Sequence, residues 1–307
     1  MTENSGKIER ILVREPNWVG DNIFTVPAVK ELRRRYPEAY LAVMTSDSIS
    51  DLWKLVEEVD EVITFNFRGG LKDIAGKRSL VHLLKSKNFD LAVVFPRSFE
   101  SAFLTFWARI PRRWGFRADF RSALLTRSPS SPTNYRTTHR ADYYYRLLES
   151  VDEFATAPPA ELTISAELRE RSRSILKSEI GEFEDRHFVG FHPWASYGPA
   201  KCWPPDHFAA LSRLLADKSG LRVILFGGPA DRSAAQKLVR AGADNIADLT
   251  GKTELDELAG IISLCRVFIA NDSGPLHLAA ALGVPTVGLF GSSDPAATAP
   301  RGDQVRV

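Results

Sequence analysis

Residues 266–291 read RVFIANDSGPLHLAAALGVPTVGLFG. An apolar run over 266–272 closes on Asn271-Asp272, Gly274-Pro275 opens a helical stretch over 274–282, and a second apolar run follows over 285–291. Neither apolar run alternates in polarity, which is the pattern of strands covered on both faces. The segment therefore predicts a strand, a helix and a second strand, the unit of a parallel sheet. It also holds the chain's longest apolar candidate, near 278–290, and Gly283, Pro285 and Gly288 break it short of the roughly 18 residues that a membrane span requires.

The same rhythm extends in both directions. Strands are expected at 187–193, 221–228 and 245–249, alternating with helices at 206–217, 230–241 and 254–264. Toward the N-terminus, strands at 11–15, 40–45, 61–65 and 90–96 alternate with helices at 22–35, 49–58, 78–87 and 99–109; Ile23, Val26, Val29 and Leu32 mark the first helix by their spacing. Between the two sets, EFATAPPAELTIS (153–165) carries two prolines and no period, and a charged helical stretch follows near 167–180. The expected fold class is α/β, with two doubly wound Rossmann-like domains, 1–160 and 161–307, facing a central cleft. Ligands of such sheets bind outside the carboxyl ends of the strands, which directs attention to loops 16–21, 96–100, 193–203, 227–231 and 271–276.

Composition removes several function classes. Across 307 residues, 40 Lys+Arg against 38 Asp+Glu leave a formal charge of +2, too balanced for a protein whose main task is neutralising nucleic-acid phosphates. Cys202 and Cys265 lie far apart, and the six histidines are dispersed without metal-ligand spacing, so neither a disulfide scaffold nor a metal cofactor is expected. No G-x-G-x-x-G, G-x-x-x-x-G-K-[ST] or G-x-S-x-G loop occurs, which weighs against dehydrogenase, P-loop kinase and serine hydrolase readings. The polar start MTENSGKIER lacks the apolar region of a secretory signal, so a cytoplasmic protein is expected, with peripheral contact at a membrane surface left open.

Five loops carry candidate chemistry. Asp272, Ser273, Gly274 and His277 sit where a strand opens into a helix, an arrangement that offers backbone N–H groups and a positive dipole end to a phosphate; a capped helix with a core histidine would use the same residues. Ser196, Gly198, Pro199 and Lys201 precede Trp203, and Lys201 can neutralise a leaving pyrophosphate or remain surface charge. Gly227 ends a strand without a side chain, suiting either close approach of a ring or ribose or a simple tight turn, and Asp231 is either a ribose acceptor or a first-turn helix acid. Asp21, at the first strand-to-helix turn, suits a general base or an ordinary N-cap.

Segment 97–140 holds nine arginines, among them Arg97, Arg117, Arg121 and Arg136, against only Glu100 and Asp119. Arginine without lysine suits bidentate recognition of carboxylates and phosphates, which favours an anionic acceptor over a merely solvated basic face. Phe99, Phe103, Trp107, Trp114, Phe116 and Phe120 interleave it and are expected to pack the domain core.

With these loops located, the sequence resembles the heptosyltransferases of bacterial lipopolysaccharide inner-core synthesis, of the lipopolysaccharide heptosyltransferase II type (the ADP-heptose:LPS heptosyltransferases, glycosyltransferase family nine). The matching stretches are PNWVGDNIFTVPAVKELRRRYP (16–37), FPRSFESAFLTFWARIPRRWGFR (95–117), GFHPWASYGPAKCWP (190–204), VILFGGPADR (223–232) and NDSGPLHLAAALGVPTVGLFGSSDP (271–295). They span nearly the whole chain, and W-V-G-D, G-P-A-K-x-W-P and N-D-S-G-x-x-H are specific together. The resemblance implies a GT-B glycosyltransferase that moves an L-glycero-D-manno-heptosyl group, with inversion, from ADP-heptose to an inner-core heptose on Kdo-lipid A. It implies Asp21 as general base, Lys201 and Asp272 on the donor's phosphate and heptose, and Ser273, Gly274 and His277 at the pyrophosphate. Ser196, Gly227 and Asp231 are further donor-side candidates, and Arg97, Ser98 and Arg117 are acceptor candidates, suited to Kdo carboxylates and lipid A phosphates.

The family's helical tail is expected beyond QVRV (304–307) and lies outside this sequence. Three other readings stand beside transfer to a core heptose: a same-fold transferase with another acceptor, a nucleotide-sugar epimerase or hydrolase, and a non-catalytic nucleotide-sugar binder.

Overall fold

Ile11, Leu12 and Val13 are wholly buried at the centre of β1 (Arg10–Arg14), and helix α1 (Val19–Arg35) follows it. The computed structural model describes residues 7–66, 73–130, 137–148, 156–185, 187–196, 198–242 and 245–307; Arg136 and Tyr197 lie outside them. The chain divides into two compact units, Met1–Ala157 and Pro158–Val307.

In the first unit the chain continues through β2 (Tyr40–Ser46), α2 (Ser50–Trp53), β3 (Glu61–Phe65), α3 (Ile74–Ser86), β4 (Leu91–Val94), α4 (Phe99–Trp107), β5 (Arg112–Trp114) and α5 (Arg140–Tyr145). The strands run parallel in the order β3-β2-β1-β4-β5. Leu12 joins a core that α3 and α4 close with Leu80, Leu84, Leu104 and Ala108, so one face of the sheet is sealed by those two helices.

Three features depart from the sequence reading. The helix expected at 49–58 is a single turn, α2, after which Leu55 N bonds to Leu52 O at 3.1 Å and Val56 N to Trp53 O at 3.3 Å in tighter i→i−3 turns. Leu52, Trp53, Leu55 and Val56 are all buried, so the apolar spacing that predicts a helix is satisfied here by one helical turn followed by tight turns. Strand β5 was not expected because its sequence is Arg-Arg-Trp; it lies at the sheet edge, half-buried along its length, where polar side chains are tolerated. The short α5 was not expected either; His139 caps it, its Nδ1 accepting from Ala141 N.

The second unit comprises α6 (Ala166–Ile180), β6 (Phe188–His192), α7 (Pro205–Ser219), β7 (Arg222–Leu225), α8 (Arg232–Gly242), β8 (Ile246–Asp248), α9 (Leu255–Ile262), β9 (Val267–Asn271), α10 (Gly274–Ala281), β10 (Thr286–Leu289), α11 (Pro295–Thr298) and β11 (Val305–Arg306). Its strands are parallel in the order β11-β10-β9-β6-β7-β8. Helices α7 and α8 cover one face through Phe208, Ala235 and Leu238 against Val189, Phe191, Val223 and Leu225.

Each sheet reverses its winding direction once, between β1 and β4 in the first unit and between β6 and β9 in the second. At such a switch point adjacent strands send their following loops to opposite faces, which leaves a crevice at their carboxyl ends. Asp21 follows β1, Arg97 and Ser98 follow β4, Lys201 follows β6, and Asp272 follows β9. Among the described residues, no helix is long and apolar enough to cross a membrane.

Candidate active site

In the first unit, Asp21 is the third residue of α1, with Trp18 at the N-cap position, so the capping alternative for Asp21 is set aside. Asn22 is wholly buried and ties the turn: its amide donates to the Pro16 and Trp18 carbonyls at 2.9 and 2.8 Å, and its oxygen accepts from Trp53 Nε1 at 2.9 Å. The half-buried Asp21 carboxylate accepts from the Tyr144 hydroxyl at 2.9 Å through Oδ1. Tyr144 is itself seated edge-on against Phe95, the residue after β4, with ring centroids 5.4 Å apart. An acid in the first turn of a helix, oriented by a neighbouring hydroxyl, has its carboxyl group held at a fixed angle.

The acceptor candidates separate into different roles. Arg97 is exposed beside β4, whereas the Ser98 hydroxyl caps α4 by accepting from Ser101 N at 3.3 Å. Arg117 is exposed, its Nε donating to the Ser128 carbonyl at 2.8 Å. Arg121 corrects the reading of an undivided basic patch: its side chain is wholly buried, with Nε donating to Phe116 O at 3.0 Å and Nη1 to Pro96 O, so it ties loops together. The interleaved aromatics also part company. Phe116 is buried as expected, but Phe99, Phe103 and Phe120 are exposed.

In the second unit the structure brings the β6 and β9 loops together. Lys201 Nζ donates to Asp272 Oδ2 at 2.8 Å, and His277 Nε2 lies 3.7 Å from Asp272 Oδ1. Asp272 and His277 are nearly enclosed, at 6% and 4% exposure. Burial is the largest single influence on Asp272 and pushes its carboxyl upward, but His277 and Lys201 together overcome it and hold the group well below the usual carboxylate range. The pair is thus a fixed charge pair, with the lysine head partly open.

Around it the loops are anchored by residues that sequence reasoning missed. Asn271 donates to Pro193 O at 2.7 Å and accepts from Trp203 N at 2.9 Å, clamping the lysine loop to the end of β9. Ser273 Oγ lies 3.1 Å from His192 Nδ1, and burial pushes the His192 ring down to about 4, so at neutral pH an uncharged imidazole positions the hydroxyl. Gly291 permits the lysine loop to approach β10: a Cβ there would be driven into the Ala200 carbonyl oxygen and to 3.3 Å from Lys201 Cα. None of these contacts has a local sequence signal, since the partners are separated by many residues. A cavity of about 420 Å³ beside them is lined by Lys201, Trp203, Pro204, Gly288, Phe290 and Gly291.

Of the two roles open to each of them, Gly227 and Asp231 are seen in the local, structural one. A Cβ on Gly227 would stand 2.6 Å from Trp194 Nε1, so the ring that approaches this backbone belongs to the protein's own Trp194. Asp231 Oδ2 accepts from Gly228 N at 2.8 Å, which fixes the turn into α8. Ser196 is exposed on the lysine loop, and Gly274 is the first residue of α10. Among the described residues, no group of three or more His, Cys, Asp or Glu side chains is placed to hold a metal.

Residues 77–307 match the family described as glycosyltransferase family 9 (heptosyltransferase). Lipopolysaccharide heptosyltransferase 2 of Escherichia coli strain K12 is 33% identical, with 97% of this chain and 87% of the relative covered, and the protein of that name from Salmonella typhimurium gives the same figures. The solved structure of E. coli ADP-heptose lipopolysaccharide heptosyltransferase II superposes with a TM-score of 0.84 at 32% identity, covering 97% of this chain and 89% of that one. A glycosyl transferase family 9 structure from Veillonella parvula DSM 2008 gives 0.88 at 25% identity, over 99% and 87% of the two chains.

Proposed function

This chain belongs to glycosyltransferase family 9, and on that premise we propose that it catalyses an inverting transfer of heptose from ADP-heptose, with Asp21 as base and the Lys201–Asp272 pair on the donor. It is a glycosyltransferase of GT-B fold that moves heptose in lipopolysaccharide core synthesis, from a nucleotide-sugar donor to a lipopolysaccharide acceptor. The acceptor proposed is an inner-core heptose on Kdo-lipid A, which would place the enzyme at the cytosolic face of the inner membrane.

The reaction forms a bond between an acceptor hydroxyl oxygen and the anomeric carbon while the bond from that carbon to the ADP oxygen breaks. Asp21 takes the hydroxyl proton, and Tyr144 sets the carboxylate angle from which it does so. ADP departs with the bonding pair and needs positive charge near its outer phosphate. An ammonium has three donors, so the bond to Asp272 fixes Lys201 in place and leaves donor capacity for a phosphate. Backbone N–H groups at the start of α10 and the Ser273 hydroxyl add to this, and being preorganised they cost no reorganisation during reaction. The observation that carries the reading is the Lys201–Asp272 pair seated at the β6–β9 switch point next to that helix start.

Two outcomes are expected. ADP release from ADP-heptose should depend on a heptosyl-Kdo-lipid A acceptor, with one heptose added by mass and full turnover in excess chelator, since protein groups supply the charge stabilisation; acceptor-independent release of free sugar, or loss of activity with chelator, would overturn the mechanism. Gly291→Ala should lower kcat/KM by roughly ten- to a hundredfold, because displacing the loop by a fraction of an ångström misaligns Lys201. Thermal melting of the same variant separates this from unfolding, and unchanged kinetics would show that the loop tolerates the shift.

A further inference from the structure

Helix α4 is apolar on more than the side it buries. Its sequence FESAFLTFW hides Ser101, Ala102, Leu104 and Thr105 against the sheet, while Phe99, Phe103 and Phe106 stand 47%, 37% and 45% exposed. Their i, i+4, i+7 spacing puts them on one outward stripe, and the Phe99 and Phe103 rings stack at 5.9 Å. A helix that faces water normally turns charged residues outward.

Phe120 adds a second, independent feature. It is 100% exposed, and both it and Asp119 sit in the left-handed backbone region at φ 57° and 43°, a conformation that is strained for a residue other than glycine. The next residue, Arg121, is the buried guanidinium that bonds to Pro96 O and Ser101 Oγ, so the strained turn is fastened to the start of α4. A strained turn and a buried arginine thus hold an aromatic ring in the open, on a loop fastened to the start of the helix that carries the stripe.

Charge selects the partner. Arg97 precedes the stripe, Arg109 follows it, also with a left-handed backbone (φ 60°), and Arg117 stands just before the Phe120 turn. Of the two acids in the segment, Glu100 is paired with Lys77 at 2.6 Å, leaving Asp119 against three arginines. Aromatic rings with arginines at their margin match the boundary between acyl chains and anionic headgroups, where rings sit at headgroup depth and guanidinium groups reach phosphate.

We propose that Phe99, Phe103, Phe106 and Phe120, with Arg97, Arg109 and Arg117, form a docking surface for the face of an anionic lipid bilayer. The stripe begins directly after β4, next to β1 in the sheet, so it starts at the same sheet end that carries Asp21. This deepens the reading that the acceptor is lipid-linked and rests on that reading for its purpose, though not for its geometry.

Sedimentation with vesicles, without donor or acceptor, tests it. The full chain should co-sediment with vesicles containing phosphatidylglycerol and stay in solution with pure phosphatidylcholine. Phe120→Ser and the double variant Phe103→Ser/Phe106→Ser should each weaken partitioning roughly tenfold or more, as expected for losing aromatic area from an interface. Phe120 packs on nothing that its loss would disturb, so it guards against failure through misfolding. No sedimentation of the unaltered chain, or unchanged sedimentation of both variants, would overturn the proposal. So would a lipid-free dimer by light scattering that both variants convert to monomer, since the stripe would then serve a second copy. Transfer to a water-soluble core acceptor is read separately, so its failure bears on the proposed activity and leaves the docking surface standing.

Discussion

Asp21→Asn is expected to lower heptosyl transfer by roughly a hundredfold or more while leaving ADP-heptose affinity nearly unchanged. Asparagine keeps the size of the side chain and an oxygen able to accept from Tyr144, so the 2.9 Å contact and the first turn of α1 should survive. What is lost is the capacity to take a proton. The effect should therefore fall on kcat with the donor dissociation constant unmoved, measured by titration calorimetry beside steady-state kinetics. Tyr144→Phe supplies the graded comparison: the carboxylate remains but its orientation is released, which should cost several-fold rather than a hundredfold. Equal losses in the two variants would mean that Asp21 acts through the structure of the turn, and an unchanged rate in Asp21→Asn would end its assignment as base.

Much of this fold was legible because its strands are buried on both faces. Runs such as Ile11-Leu12-Val13 and Val223-Ile224-Leu225 have no polar face to confuse the period, and the Gly-Asp, Gly-Pro and Asp-Ser-Gly turns between them mark where helices begin. The candidate loops could be found for the same reason: in a doubly wound sheet they follow the strands. The errors arose where environment rather than pattern decides. Leu52, Trp53, Leu55 and Val56 satisfy a helical count, and a one-turn helix followed by tight turns buries all four as well, so their spacing does not decide between the two. Arg121 reads as one more charge in a basic segment, and only tertiary contacts with the carbonyls of Pro96 and Phe116 show that it is internal. Phe99 and Phe103 read as core by residue type, although the helix had already filled its inner face with smaller residues. The site's supports were invisible for a simpler reason. Tyr144 meets Asp21 across 123 residues and His192 meets Ser273 across 81, and no local window contains either pair.

The lysine loop offers the other large effect. Lys201→Ala should weaken donor binding and lower kcat/KM by roughly a hundred- to a thousandfold, the range for removing one preorganised group that stabilises developing negative charge. Two losses combine there. A cationic contact to the phosphates disappears, and Asp272, nearly buried and kept ionised by its neighbours, is left facing the site with uncompensated charge that repels the same phosphates. These two contributions are separable, because Asp272→Asn together with Lys201→Ala removes the stranded charge while still lacking the cation. If repulsion dominates, the double variant should recover donor affinity relative to Lys201→Ala alone; if the missing cation dominates, it should not. Lys201→Arg adds a further discrimination: a guanidinium keeps the charge but replaces a compact ammonium fixed at 2.8 Å from Asp272 with a planar fork, so binding should recover more than turnover. Full activity in Lys201→Ala would detach the pair from catalysis and leave it as a structural clasp between the β6 and β9 loops.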